Sequence, residues 1–191
     1  MLIQLKTARK CESDAKLVME WRNDPETLKM FYHSKPKRWG FFYHEYCNEY
    51  FKDDELPPVF ALFRDEKIGF LRFNKYRDDK IKGNIADMSI NLCPKKRGFG
   101  FGMEIIKKGA EYLFNKGYET ILAEIKQINI VSIRTFEKAG FMCLDSMDKK
   151  IKDTGKVFHI YRFILHKTKQ KTFCSCSAVP GLGNGKWKMA I

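Results

Sequence analysis

The sequence predicts an α/β (α+β) domain, with one mixed sheet of about seven strands and helices on both of its faces. Three features carry that expectation. Short apolar runs such as Val59-Phe60-Ala61-Leu62-Phe63 and Thr120-Ile121-Leu122-Ala123-Glu124-Ile125 alternate with stretches whose apolar residues recur at helical spacing. A strand, loop, helix and strand between Asn84 and Ile125 demand parallel pairing, because a helix-length crossover joins the two strands. Pairs of neighbouring strands around 59–73 and 141–165 demand antiparallel pairing elsewhere.

The elements follow in order. Leu2 to Lys6 reads as a short strand. Ser13 is placed to cap a helix carrying Ala15, Val18, Met19 and Trp21, which Asn23-Asp24-Pro25 ends because proline removes a donor. A second helix, from about Lys37 to Phe51, is dense in aromatic residues, and Leu56-Pro57-Pro58 breaks it. Val59–Phe63 and Ile68–Phe73 form a hairpin about a turn at Asp65-Glu66-Lys67. After a loop at Asp78-Asp79-Lys80, a strand runs from Asn84 to Cys93. The next helix repeats Met103, Ile106, Ala110, Leu113 and Phe114 on one face and stops at Lys116-Gly117. Strand Thr120–Ile125 leads to a short helix, Ile130–Lys138, stopped by Ala139-Gly140, and strands near 141–146 and 156–165 close the domain. Residues 1–166 make the domain; 167–191, basic and then glycine-rich, are expected to be a mobile tail.

Composition narrows the classes of function. The chain has 191 residues, 44% of them hydrophobic, enough to bury a real core. Its net charge of +13 is spread along the chain without a nucleic-acid recognition motif. It reads as a solvated surface with a local excess near the glycine loop described below, and no nucleic acid is expected as a partner. Six cysteines, Cys11, Cys47, Cys93, Cys143, Cys174 and Cys176, lack paired ligand spacing, so no metal is expected and the thiols read as reduced. No apolar run approaches the ~20 residues that span a bilayer, and Met1–Lys6 lacks the layout of a secretory signal; the expected location is the cytoplasm. A homodimer is compatible with the sequence and not required by it.

The most informative segment is Leu92-Cys93-Pro94-Lys95-Lys96-Arg97-Gly98-Phe99-Gly100-Phe101-Gly102, a basic glycine turn between a strand and a helix. Glycines let the backbone approach a ligand, and a helix start directs unpaired N–H groups and the positive end of its dipole at one spot. Together they suit phosphate or pyrophosphate. The spacing Arg97-x-x-Gly100-x-Gly102 fits neither the Walker loop nor the dinucleotide fingerprint.

That loop, with Asn129-x-x-Ser132-x-x-x-Phe136-x-x-x-Gly140-Phe141 further on, resembles the two core motifs of the GNAT superfamily of N-acetyltransferases. The resemblance covers roughly residues 2–165 in element order and is specific from Asp87 to Phe141. It implies acetyl-CoA as cofactor, with the amides of Arg97, Gly98, Phe99, Gly100, Phe101 and Gly102 on the pyrophosphate. It also implies that the strand before the loop splays from its parallel neighbour, freeing backbone groups around Leu92 and Cys93 for the pantetheine arm, in the manner of an added strand. Asn129 would contact the same arm, with Ser132 and Phe136 beside it; the plainer reading of Asn129 is a helix cap.

An amine of pKa ~8 is largely protonated at neutral pH, so attack on a thioester needs a base. The resemblance offers two carboxylates: Glu124, in an Ala-Glu-Ile setting similar to the Leu-Glu-Val of several protein-acetylating relatives, and Asp87, where many sugar-acetylating relatives carry glutamate, with Glu124 slightly preferred; a surface ion pair with lysine is the alternative fate of each. A backbone N–H near Leu92 is the candidate donor to the carbonyl oxygen. Many members of the superfamily carry tyrosine where this chain has Phe136, which donates no proton; Tyr161 and Cys143 are the possible substitutes.

The resemblance also places the acceptor against the first two helices and their connection, with Trp21, Arg22, Tyr32 and Trp39 as wall residues and Phe31, His33 and Tyr43 beside them. Aromatic platforms next to arginine suit a small-molecule amine bearing a ring or a nucleotide. Trp21-Arg22-Asn23-Asp24-Pro25 and the Asp87-Met-Ser-Ile-Asn-Leu-x-Pro run resemble the amino-sugar acetyltransferases of surface-glycan synthesis, and the Trp21-Arg22 element is similar to that of ribosomal-protein N-terminal acetyltransferases as well. Acetylation of a protein N-terminus, a ribosomal protein or an aminoglycoside is the second expectation. A non-catalytic acyl-CoA-binding or RNA-associated domain is the third.

Overall fold

A computed structural model describes residues 2–32, 35–151 and 154–167. Beyond Lys167 the expected tail, with Cys174 and Cys176, lies outside the described residues, as does His33.

The elements are β1 (Gln4–Thr7), α1 (Glu12–Asn23), α2 (Pro25–Met30), α3 (Trp39–Glu49), β2 (Val59–Phe63), β3 (Glu66–Tyr76), β4 (Ile85–Leu92), α4 (Phe101–Asn115), β5 (Thr120–Lys126), α5 (Ile130–Lys138), β6 (Met142–Lys150) and β7 (Val157–His166), with a 3₁₀ turn at Pro94–Lys96. The strands form one sheet in the order β1-β2-β3-β4-β5-β7-β6. Every pairing is antiparallel except β4 with β5, which is parallel as the crossover through α4 requires. None of the described helices is long and apolar enough to cross a membrane.

Strand alternation sends side chains to two cores. On one face Ile105, Ile106, Ala110 and Leu113 of α4 and Phe136 of α5 pack on Leu71, Met88, Ile121, Ala123 and Phe163. On the other, Val18 and Trp21 of α1 and Phe42 and Tyr46 of α3 pack with Tyr50 on Phe60 and Phe70. Gly109 lets α4 lie close to the sheet: a Cβ there would meet Leu71 Cδ2 at 2.6 Å and Met88 Sδ at 2.8 Å.

Two local expectations need correction, and a third, the helix stop at Asn23-Asp24-Pro25, holds but is incomplete. Helix α1 starts at Glu12 with Cys11 as its N-cap, so Ser13 lies inside the first turn, where Glu12 and Asp14 favour the helix dipole. The Asn23-Asp24-Pro25 stop also begins a helix: Pro25 occupies the first turn of α2 and Asp24 Oδ2 accepts from Thr27 N at 2.9 Å. The β2–β3 turn falls on Arg64 and Asp65, both at positive φ (50° and 62°), with Glu66 already paired to Phe63. A left-handed pair of this kind matches strand twist better than a turn centred one residue later.

Candidate functional site

Strands β4 and β5 pair only at Ile85↔Thr120, Ala86↔Ile121 and Asp87↔Leu122. Beyond Asp87 they part, opening a V in the middle of the sheet. Cys93 N–H donates to Ile68 O at 2.9 Å, so Cys93 and the alternate residues Asn91 and Ser89 direct their backbone groups toward β3. Ile90 and Leu92 therefore direct theirs into the opening. The carbonyl of Cys93 accepts from Lys96 N–H at 2.9 Å, so both polar backbone groups of Cys93 already have a partner within the protein.

At the end of β4 the chain turns through Gly98 and Gly100, at φ 82° and 80°, into α4. Among the described residues the N–H groups of Gly98, Phe99, Gly100, Phe101 and Gly102 have no acceptor. Arg97 stands apart from that run. Its N–H donates to Pro94 O, and its guanidinium is held by Asp24 Oδ2 at 2.8 Å and Thr27 Oγ1 at 2.5 Å, tying the loop to the start of α2.

Asp87 and Glu124 flank the point where the strands separate, on the face covered by α1–α3. Asn74, directly across from Asp87 on β3, donates to Asp87 Oδ2 at 3.3 Å. Burial, reinforced by the negative charge of Glu124, pushes the Asp87 carboxyl up to about 6 against the opposing effects of Asn74, Lys149 and Arg72. Glu124 is occupied differently: it pairs with Lys149 and accepts from Tyr32 O–H at 3.2 Å. Burial and Glu124 hold the Tyr32 phenol protonated well above its usual range. Behind them Lys126, 6% exposed, donates to Phe31 O at 2.6 Å and Lys29 O at 3.2 Å, fixing the end of α2 over β5.

The Acetyltransferase (GNAT) domain model matches residues 7–142. The chain belongs to that family. It is accordingly an N-acetyltransferase domain that uses acetyl-CoA. A Methanocaldococcus jannaschii protein, itself uncharacterized, is 27% identical over 131 residues, a match spanning 68% of this chain and only 26% of that protein's length. The structure of aminoglycoside acetyltransferase AAC(6')-Ib with coenzyme A superposes with a TM-score of 0.72 at 17% identity, covering 87% of this chain and 95% of that one. A ribosomal-protein-alanine N-acetyltransferase from Brucella melitensis superposes with a TM-score of 0.67 at 15% identity, covering 86% and 99%. At these identities the likeness speaks for the fold.

The residues of this GNAT domain fit its cofactor. The unpaired amides of Gly98–Gly102 are suited to a diphosphate, and the open backbone edge at Ile90 and Leu92 to an amide-bearing arm. The other expected residues divide. Asn129 caps α5, accepting from Ser132 N at 3.2 Å, so both serve the helix end. Phe136 is 2% exposed and packs edge-on against Phe141 in the core. Tyr161 is edge-on to His159 and Phe163, and Cys143 donates weakly to Asp145 O on the outer strand β6. Trp21 is also core, 2% exposed and edge-on to Phe60, and Trp39 stacks on Tyr43. Among the expected wall residues Arg22 lines a cleft, with Phe31, Tyr50, Arg72, Ser89 and Asn91. Sequence reasoning missed Lys126, Lys149, Arg72 and Asn91. The alternation Asp87-x-Ser89-x-Asn91 was the available signal for the last, since it puts three polar side chains on one strand face. Among the described residues no cluster could hold a metal ion.

Proposed function

We infer that this GNAT domain transfers the acetyl group of acetyl-CoA to the primary amine of a small molecule, an amino sugar or nucleotide-linked amino sugar. The observation that carries the reading is Asp87, a carboxylate held at about 6 where β4 and β5 part. A base poised near the working pH is both deprotonated and strong enough to accept a proton. Asp87 takes the amine proton, directly or through a water. Glu124, bound to Lys149 and Tyr32, supplies the negative charge that helps keep Asp87 basic and anchors Tyr32 beside the acceptor. The Leu92 N–H, turned into the opening, is the donor to the carbonyl oxygen. Acetyl-CoA supplies an acyl group activated as a thioester. Phe136 offers no proton, and its ring lies in the core.

The sugar preference is supported by Arg22, stacked on Phe31 with its guanidinium carbon 4.5 Å from the ring centre, in the cleft beside β4. It is also supported by the likeness of the Trp21–Pro25 and Asp87–Leu92 segments to amino-sugar acetyltransferases. Thiol release from acetyl-CoA, followed over amino sugars, nucleotide-linked amino sugars, aminoglycosides and peptides, tests it. Turnover is expected to be fastest with a sugar amine. Turnover of peptides alone overturns the acceptor, and coenzyme A binding without turnover of any amine overturns the activity.

A further inference from the structure

The cleft lined by Arg22, Phe31, Tyr50, Arg72, Ser89 and Asn91 holds more hydrogen-bond donors than the protein itself uses. Asn91 is 8% exposed, and its Nδ2 has no partner among the described residues. A buried donor left without an acceptor has lost its water and gained nothing in return, so a native site that keeps one calls for a ligand or water to complete it. Two guanidiniums share the cleft. Arg22 donates to Tyr50 O–H and lies over Phe31, while Arg72 lies 3.7 Å from the centre of the Tyr50 ring. Among the described residues neither meets a carboxylate. Of the nearby acids, Glu45 pairs with Lys37 at 2.5 Å and Glu124 with Lys149, while Asp87 accepts from Asn74 and forms no ion pair with either arginine. Stacking on aromatic rings fixes both arginine planes without neutralising them.

We propose that this cleft is a subsite for an anionic group, a carboxylate or a phosphate, carried by the acceptor at a distance from its amine. The assignment deepens the acetyl-transfer reading and rests on it. Asp87, Ser89 and Asn91 project from one face of β4, and Arg72 stands directly across from Ser89 on β3. At ~3.3 Å per residue, Ser89 and Asn91 lie about 7 and 13 Å along the strand from Asp87. An amine at Asp87 and an anion in the cleft are thus separated by roughly the width of a sugar ring or more. A simple α-amino acid, with both groups on one carbon, does not span that distance. Arg22, Arg72 and the Asn91 amide supply the donors, and Phe31 and Tyr50 the flat walls.

Two measurements test this. The first compares glucosamine, glucosamine 6-phosphate and glucosaminuronic acid as acceptors. Both charged sugars are expected to exceed the neutral one at least tenfold in kcat/KM, and whichever is the better identifies the anion. Arg72→Gln is expected to reduce that preference at least fivefold, mainly through KM. A neutral sugar used as well as the charged ones overturns the subsite. The second measurement needs no turnover: calorimetric titration of inorganic phosphate into the protein saturated with coenzyme A, which fills the glycine loop. Binding is expected in the wild type and at least tenfold weaker in Arg72→Gln and in Asn91→Leu. The leucine variant removes the unpaired donor at similar volume and is expected to melt no lower than the wild type. Phosphate that ignores the protein, or binds all three forms alike, overturns the proposal. Failure of coenzyme A to bind would instead strike the acetyl-transfer reading, and the Arg72 dependence of phosphate binding would still decide the subsite.

Discussion

Replacing Asp87 by Asn is expected to have opposite effects on activity and on stability. The carboxyl rises from the ordinary aspartate value near 3.9 to about 6 because burial and Glu124 disfavour its charge. That elevation corresponds to a preference for the neutral form of roughly 3 kcal/mol. The folded protein therefore holds this proton more tightly than the unfolded chain. The stabilisation is complete below about pH 4 and disappears as pH rises through about 6. Asparagine is neutral throughout and can still bond to Asn74. Asp87→Asn should match the wild type near pH 4 and exceed it by up to ~3 kcal/mol at pH 8, or about 6–12 °C in Tm for a domain of this size. In the same variant kcat/KM should fall about 10²–10⁴-fold, the usual contribution of a general base. Wild-type kcat/KM should rise with pH up to an inflection near 6, and the variant should lack it. Melting curves from pH 4 to 8 and the two pH–rate profiles provide the check. A Tm gap that does not widen with pH, or an inflection that survives in the variant, would refute the reasoning.

The charges around Asp87 should move that inflection in opposite directions. Glu124→Gln lowers it and Lys149→Met raises it, each by about half a pH unit or more, because Glu124 disfavours and Lys149 favours the charged carboxylate. Profiles that coincide with the wild type would uncouple these residues. Gly100→Ala places a side chain at φ 80° and should cost about 1–2 kcal/mol in loop geometry, weakening coenzyme A binding about tenfold or more by calorimetry. Gly109→Val drives a side chain into Leu71 and Met88 and should lower stability by at least about 1–3 kcal/mol in urea unfolding, with the wild-type m-value retained.

Much of this domain was determined by local sequence. Residue periodicity distinguishes helix from strand over a few turns, so α4, β5 and α5 fall where their apolar spacing and glycine stops put them. The glycine loop is legible for the same reason: positive φ and a helix start are properties of neighbouring residues. Helix α2 escaped because a proline stop and a proline start look alike until Asp24 is seen capping Thr27. The site depended on contacts that no local pattern encodes. Only tertiary structure takes the Cys93 N–H to Ile68, pairs Glu124 with Lys149 from β6, and brings Tyr32 across 92 positions to the same carboxylate. The resulting division of labour, Asp87 raised and Glu124 engaged, follows from burial and charge at a distance. Both depend on which surfaces meet when the sheet closes, and a linear chain does not specify that until it has folded.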